Sequence, residues 1–209
     1  MTTRTLAVVS AGLSVPSSTR LLADRLTTAT VDALRERGPR DSVDATVEVV
    51  ELREHARDLA DNLVTGFPSE SLRAALDTVA GADGLIAVSP IFNASYSGLF
   101  KSFFDVLDES ALLDKPVLLA ATGGTARHSL ALEHALRPMF THMRATVVPT
   151  SVFAAPEDWA GGSGPSGALA VRIERAAREL ADQMERRESR PVRDPFDLPV
   201  TFDRLLAGD

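Results

Sequence analysis

The distribution of apolar residues most constrains the fold, because short apolar runs alternate with longer segments of helical periodicity. The apolar runs predict five strands, at Leu6–Ser10, Thr46–Leu52, Gly84–Ser89, Val117–Thr122 and Ala145–Pro149. The periodic segments predict helices from about Ser18 to Arg37, Ser69 to Ala80, Gly98 to Leu107, Ser129 to Thr141 and Ala168 to Arg187. This alternation is typical of βαβ units around a parallel sheet that is buried on both faces.

Five parallel strands joined by right-handed crossovers predict an α/β protein with a flavodoxin-like, doubly wound sheet in the order 2-1-3-4-5 and helices on both faces. Ligands bind such sheets beyond the carboxyl ends of the strands, where the strand order reverses. We therefore expect binding residues after strands 1, 3 and 4. We also expect one domain over residues 1–188, a surface loop over 156–167, and a tail, 189–209, packed on the domain or on a partner subunit.

Composition and charge exclude several classes of function. The chain has 209 residues and no Cys, so thiolate catalysis and iron–sulfur ligation are excluded and redox chemistry would need an organic cofactor. Its 4 His are scattered, and we expect no metal site. The net charge of −7 argues against nucleic acid as a partner. No apolar run approaches the ~20 residues of a membrane span, and we expect a cytoplasmic protein without a membrane partner.

The loop after the first strand indicates a phosphate site. It runs from Ser10 to Arg20 and carries five hydroxyls in eleven positions, together with Gly12. Helix-start amides and hydroxyls bind anions, and an arginine neutralises their charge. Helix capping explains one of the hydroxyls but not all five. The candidate residues are Ser10, Ser17, Ser18, Thr19 and Arg20.

The loops after strands 3 and 4 have the composition of a site for a flat ring. The first offers apolar groups and an amide, and the second offers paired glycines that let a ligand approach the backbone closely. The candidates are Pro90, Ile91, Phe92, Asn93, Ser95, Thr122, Gly123, Gly124 and Arg127, with His128 as a substrate contact. A plain turn over Pro90–Asn93 and a helix-start role for His128 are the alternatives.

Together the three loops resemble those of the NADPH-dependent FMN reductase family, specifically its actinobacterial-type FMN reductases, over roughly residues 4–188. The segment Pro90-Ile91-Phe92-Asn93-x-Ser95-x-Ser97-Gly98-Leu99-x-Lys101 carries the most specific part of the resemblance. The resemblance implies that Ser10 and Ser17–Arg20 hold the FMN phosphate, that Pro90–Asn93 line the isoalloxazine, and that Thr122–Gly124 close its other side. The common family form has Tyr at Phe92 and Pro at Ser97.

The resemblance also implies the activity of an NAD(P)H-dependent FMN reductase, in which nicotinamide stacks on the flavin and passes a hydride to its N5. No side chain is then required as a catalytic acid or base. The reduced flavin would supply a partner monooxygenase or reduce a quinone, an azo compound or a metal ion. The family further implies a homodimer or homotetramer with contacts near Leu99–Leu107 and Leu130–Phe140.

Two alternatives stay open at this point. A flavodoxin-type electron carrier, or an FMN module that docks on a partner, would also suit the acidic net charge, because acidic surfaces guide docking to basic redox proteins. The choice between NADPH and NADH as hydride donor is open as well, because the sequence contains no recognisable pocket for a 2′-phosphate.

Overall fold

A computed structural model describes residues 3–36, 44–160 and 167–187. Its strands are β1 (Thr3–Ser10), β2 (Asp44–Glu51), β3 (Gly84–Phe92), β4 (Ser95–Tyr96), β5 (Pro116–Thr122), β6 (Thr146–Val147) and β7 (Val152–Ala154). Its α-helices are α1 (Ser18–Arg35), α2 (Ala56–Thr65), α3 (Glu70–Gly81), α4 (Gly98–Asp105), α5 (Arg137–His142), α6 (Pro156–Ala160) and α7 (Ala168–Arg186). The predicted tail, 189–209, lies outside the described residues, so the domain boundary at 188 stays a prediction.

The parallel sheet has the order β2-β1-β3-β5, with β6 and β7 both parallel to β5 at the outer edge. This confirms a doubly wound sheet whose order reverses between β1 and β3. The count of five strands is wrong, because β4 pairs antiparallel with β3 and the outer strand is split. The split follows Pro149, which has no amide hydrogen to donate. Thr150 then turns its amide and hydroxyl to the Glu179 carboxylate, each at 2.7 Å.

Side chains alternate along the central strands and pack on both faces of the sheet. Leu6 and Val8 of β1 face α1 and α7, while Ala7 and Val9 face the helices α2 to α5. All four are at most 1% exposed, as expected for a strand that is covered on both sides. The two faces therefore fix β1 and its neighbours as a rigid base for the loops at their carboxyl ends.

Two helices were not expected from the sequence. Helix α2 buries only Leu59 and Asn62, whereas Leu63 and Val64 are exposed. Its apolar residues therefore do not form the periodic pattern that predicts a helix. Helix α6 occupies the start of the expected surface loop, while residues 161–166 lie outside the described residues. Pro at a first helical position followed by two acids is a recognisable helix start, and here it is Pro156-Glu157-Asp158.

The predicted helix over Ser129–Thr141 is more varied in the structure. A 3-10 turn spans Ala126–His128, a π-helical turn spans Leu132–Leu136, and α5 completes the segment. Of the helices in the three described ranges, none combines the length and the apolar character that a membrane span needs.

Candidate functional site

A cavity of about 440 Å³ lies at the carboxyl end of the sheet, within the ~300–1,000 Å³ usual for small-molecule sites. It is lined by Leu13, Ser14, Ser17, Ser18 and Thr19 after β1, by Pro90, Ile91 and Phe92 at the end of β3, by Thr122, Gly123 and Gly124 at the end of β5, and by Ala154, Pro156 and Trp159. The structure thus brings the three loops singled out in the sequence to one place.

The start of α1 forms one end of this cavity. Ser17 caps the helix, since its Oγ accepts a hydrogen bond from the Arg20 amide at 3.2 Å and its carbonyl accepts one from the Leu21 amide at 3.0 Å. The first amides of a helix have no intrahelical acceptor, so those of Ser18 and Thr19 are available to an anion. This helix start therefore has the polarity of a phosphate site.

Gly12 makes the close turn into this helix start. A Cβ at Gly12 would lie 2.1 Å from the Ser17 Oγ, so any side chain there would displace the capping hydroxyl. Thr19 in turn is joined to the loop after β5 by a hydrogen bond of 2.8 Å between its hydroxyl and that of Thr122. Both threonines are buried, and their contact fixes the distance between the two loops. Ser10, at the end of β1, is 2% exposed and is not among the lining residues, so its contact with phosphate stays a prediction.

Arg20 is not among the residues that line the cavity, and its guanidinium binds acidic side chains. Its guanidinium donates to Asp24 at 2.7 Å and also binds Glu51, which accepts a further hydrogen bond from Arg53 at 2.8 Å. The hydrogen bond to Asp24 and the charge of Glu51 raise the pKa of Arg20 above its ordinary value. Two carboxylates therefore already compensate its charge, and a contact between Arg20 and phosphate stays a prediction.

The end of β3 supplies an apolar wall and then turns sharply. Phe92 leaves 47% of its surface exposed and pairs with Ser95 across a two-residue turn. Asn93 and Ala94 form this turn with φ values of 49° and 66°, the left-handed geometry of a type I′ hairpin. Asn93 and Ser95, both predicted to bind the cofactor, lie on this hairpin outside the cavity lining.

A buried serine that the sequence did not single out holds this wall in place. The Ser89 hydroxyl donates to the Pro90 carbonyl at 2.9 Å and accepts from the Ser97 amide at 3.0 Å. Ser97 also caps α4, accepting from the Phe100 amide at 3.2 Å. A proline at position 97 would lack the amide hydrogen that reaches Ser89, so this hydrogen bond requires a residue other than proline there.

The two glycines after β5 have different surroundings. A Cβ at Gly123 would lie 2.7 Å from the Phe153 Cζ, whereas a Cβ at Gly124 would meet nothing within 4 Å. His128 folds back so that its own Cβ lies 3.6 Å from that Gly123 position. The His128 Nδ1 is buried and hydrogen-bonds to none of the described residues. The space beside Gly123 is therefore filled by Phe153, whereas the space beside Gly124 is free for a ligand.

The fourth side of the cavity was missed by sequence reasoning. Trp159 lies on α6 and reaches the cavity, with the Arg25 guanidinium carbon 4.9 Å from the centre of its ring. A cation over an indole face is attractive and holds the ring in place. The available signal is the only Trp of the chain, which follows the helix start Pro156-Glu157-Asp158 within the predicted surface loop.

Comparison with known proteins agrees with this arrangement. The model of the family described as NADPH-dependent FMN reductase matches residues 4–160. An FMN reductase (NADPH) of Pseudomonas aeruginosa is 40% identical over 83% of this chain and 88% of its own length. An NADH-dependent FMN reductase of Pseudomonas putida is 43% identical over 62% of this chain and 69% of its own.

Solved structures agree in fold. An oxidoreductase from Corynebacterium diphtheriae is 46% identical and superimposes with a TM-score of 0.83, covering 90% of this chain and 100% of the other. A WrbA-like flavodoxin from Agrobacterium tumefaciens, 16% identical, has a TM-score of 0.54 over 88% of this chain and 96% of its own, and it supports the flavodoxin-like fold alone. The extent of the family match and the similarity to the Pseudomonas enzyme together show that this chain belongs to the NADPH-dependent FMN reductase family.

Proposed function

We propose that the cavity binds FMN and that the protein uses it to take a hydride from a reduced nicotinamide nucleotide. The observation that carries this proposal is the convergence of a phosphate-type helix start and a glycine-containing ring loop on one cavity. Family membership supplies the reaction class. The residues that line the cavity indicate how FMN would be held.

The phosphate of FMN fits the start of α1. The helix has 18 residues, long enough for a positive helix-dipole end, and Ser17, Ser18 and Thr19 line the cavity there. The free amides of Ser18 and Thr19 and the nearby hydroxyls would hold the phosphate oxygens. Because Ser17 already caps the helix, this end of the site is ordered before a ligand enters.

The flavin ring fits the opposite part of the cavity. Phe92 and Trp159 offer aromatic surface, and Gly124 leaves open space where a side chain would otherwise stand. His128 packs beside Gly123 and is not among the residues that line the cavity, so its role as a substrate contact stays a prediction. When bound, FMN supplies a ring that accepts a hydride.

The protein orients the reactants and contributes no acid or base. None of the described residues that line the cavity carries a charge, and the chemistry requires only that the donor and the ring be held face to face. Ser89 and Ser97 keep the β3 wall in position through their hydrogen bonds. The hydroxyl pair Thr19–Thr122 sets the spacing between the phosphate end and the ring end.

The acceptor and the assembly of the protein stay predictions. Release of reduced flavin to a monooxygenase, and reduction of a quinone, azo compound or metal ion, are both consistent with an open cavity. A homodimer or homotetramer would need contacts other than the aromatic face of α4, because Phe100, Phe103 and Phe104 are buried in the core of one chain. Leu130, at 63% exposed, is the available apolar residue of the second predicted contact region.

The phosphate assignment is tested by Ser18→Glu, which places a carboxylate at the first position of α1. An acid is favourable at this position for the helix itself, and α3 naturally begins with Glu70 after its own serine cap, Ser69. We expect unchanged or slightly higher stability, with FMN affinity reduced by roughly tenfold or more through like-charge repulsion. Flavin fluorescence during titration measures the affinity.

Riboflavin is the matched control ligand, because it lacks the phosphate and should bind the wild type and Ser18→Glu equally. Equal FMN affinity in the two proteins would contradict the phosphate assignment. Oxidation of NADPH or NADH is then followed with FMN present and with a protein-free control. A protein that binds FMN without accelerating nicotinamide oxidation would be an electron carrier and would overturn the reductase proposal.

A further inference from the structure

We propose that Arg127 recognises the 2′-phosphate of NADPH and makes this chain prefer NADPH to NADH. This inference rests on the proposed function, since it names the donor that the flavin site takes. Overall similarity does not decide the donor, because relatives named for NADPH and for NADH are 40% and 43% identical to the chain. The choice must therefore depend on particular side chains near the cavity.

The open side of the cavity determines where the donor enters. Gly123 is closed by Phe153, but nothing stands within 4 Å of a Cβ at Gly124. A nicotinamide that stacks on a bound flavin leaves its adenosine half outside the ring site, because the inner walls are occupied by core residues. An adenosine that extends from this open side would pass over the surface beside Gly124, where the chain continues into the turn Ala126–His128.

This turn is held firmly against the cavity. The His128 amide donates to the Thr125 carbonyl at 3.2 Å, and the Ser129 amide donates to the Ala126 carbonyl at 3.1 Å. The Gly123 amide binds the Ala154 carbonyl at 3.2 Å, which ties the same loop to β7. Arg127, predicted from the sequence to bind the cofactor, is not among the residues that line the cavity; its backbone lies in this turn, three residues after Gly124.

Among the described residues, Arg127 has no ion-pair partner, whereas other cations near the carboxyl ends of the strands do. Arg20 binds Asp24 and Glu51, Arg53 binds Glu51, and Lys101 binds Asp105. Arg127 is exposed and makes no ion pair with any residue in the described part of the chain. The next acid along the chain, Glu133, is already bound by Arg137.

The chemistry of the two donors matches this difference. NADPH differs from NADH by one phosphomonoester, which carries more than one negative charge near neutral pH and offers three acceptor oxygens. A guanidinium binds such a group with two parallel hydrogen bonds, which a lysine ammonium cannot reproduce. Arg127 is therefore a specificity-determining residue and is not required for hydride transfer.

The test compares wild type, Arg127→Gln, Arg127→Lys and Arg175→Gln, each saturated with FMN. Arg175 is an exposed arginine on α7 that does not line the cavity, so its replacement controls for loss of one positive charge. We expect Arg127→Gln to lose about 10- to 100-fold in kcat/KM for NADPH, from the worth of hydrogen bonds to a charged group. The value for NADH should stay within about twofold, Arg127→Lys should fall between, and Arg175→Gln should match wild type.

Binding of adenosine 2′,5′-bisphosphate and of AMP, measured by calorimetry, needs no turnover. Wild type should prefer the bisphosphate, and Arg127→Gln should lose that preference. Equal use of NADPH and NADH by wild type, or an equal loss for both donors in Arg127→Gln, would overturn the inference. Absence of nicotinamide oxidation in every variant would overturn the proposed function instead, while the calorimetric comparison would still decide the role of Arg127.

Discussion

The two ends of the parallel sheet use polar residues in opposite ways. At the amino end, the charged side chains are buried; they are Arg4, Asp83 and Lys115. Arg4 donates a hydrogen bond to Asp83 at 3.3 Å, and Lys115 donates to the carbonyls of Val79 and Ala80. At the carboxyl end, the cavity is lined by hydroxyls, glycines and apolar groups without charge. The buried charges of the amino end bind groups within the protein, whereas the uncharged cavity at the carboxyl end is open to a ligand.

This difference indicates which polar groups stabilise the fold and which serve the ligand. A buried charge must find its partners within the protein, because leaving it unpaired is costly. Neutral hydroxyls and amides at a helix start can stay available for a phosphate at little cost. We therefore expect substitutions at the amino end to change stability alone, and substitutions at the carboxyl end to change flavin binding.

The largest expected effect is that of Asp83→Ala at the amino end. The Asp83 carboxylate pairs with Arg4 and accepts the Thr5 amide at 2.9 Å. Removing one partner of a buried pair costs about 3–5 kcal/mol in the free energy of unfolding, which chemical denaturation measures. Glu174→Ala is the matched control, because Glu174 pairs with an exposed Arg178 and surface pairs contribute about 0–1 kcal/mol.

Measuring the FMN affinity of the same variants tests whether the amino end affects stability alone. Folded Asp83→Ala should bind FMN as the wild type does, since the substitution lies at the far end of the strands. A large loss of FMN affinity without a loss of stability would contradict the division between the two ends.

The paired glycines allow a test within the carboxyl end. Gly123→Ala would bring a Cβ to 2.7 Å from the Phe153 ring, and overpacking of this kind costs about 1–3 kcal/mol. Gly124→Ala meets no neighbour and should leave the free energy of unfolding nearly unchanged. Thermal denaturation without ligand compares the two, and Phe153→Leu combined with Gly123→Ala should recover part of the loss. Equal destabilisation by both alanines would show that the Phe153 contact is not the cause.

Lys115 predicts a pH dependence of stability that arises at the amino end. Burial, with the charge of Arg187, lowers the pKa of Lys115 to about 7, whereas in the unfolded chain it is about 10.4. Between these values the unfolded state binds the extra proton, so stability rises with pH. From pH 7 to 9 the gain is about 2 kcal/mol. Lys115→Met should flatten this slope in urea denaturation series, and an unchanged slope would contradict the assignment.

Much of the fold followed from local sequence, because each buried strand is a short apolar run bounded by polar residues. The meeting of the three loops at one cavity followed as well, since loops after adjacent parallel strands meet at one edge. Contacts between residues that are distant in the sequence could not be predicted from local patterns. The split of the outer strand depends on Glu179, which lies 29 residues from Thr150.

Arg20 illustrates the same limit within the site. Its sequence position, in the first turn of α1, suggests a phosphate contact, but its guanidinium binds Glu51, 31 residues away at the end of β2. The Asp24 contact of Arg20 follows the i, i+4 spacing of a helix, but no local pattern predicts the contact with Glu51. Trp159 was missed for a related reason, since it reaches the cavity only because α6 follows β7 at the sheet edge.

The smallest expected effect comes from comparing two serine caps that differ only in location. Ser17 caps α1 beside the cavity, with its Oγ 3.2 Å from the Arg20 amide, and Ser69 caps α3, with its Oγ 3.1 Å from the Leu72 amide. Replacing either by alanine should cost about 1 kcal/mol in the free energy of unfolding. Only Ser17→Ala should also weaken FMN binding in a fluorescence titration, because Ser17 lines the cavity. Equal FMN affinities in the two variants would reduce Ser17 to a helix cap and leave phosphate binding to Ser18 and Thr19.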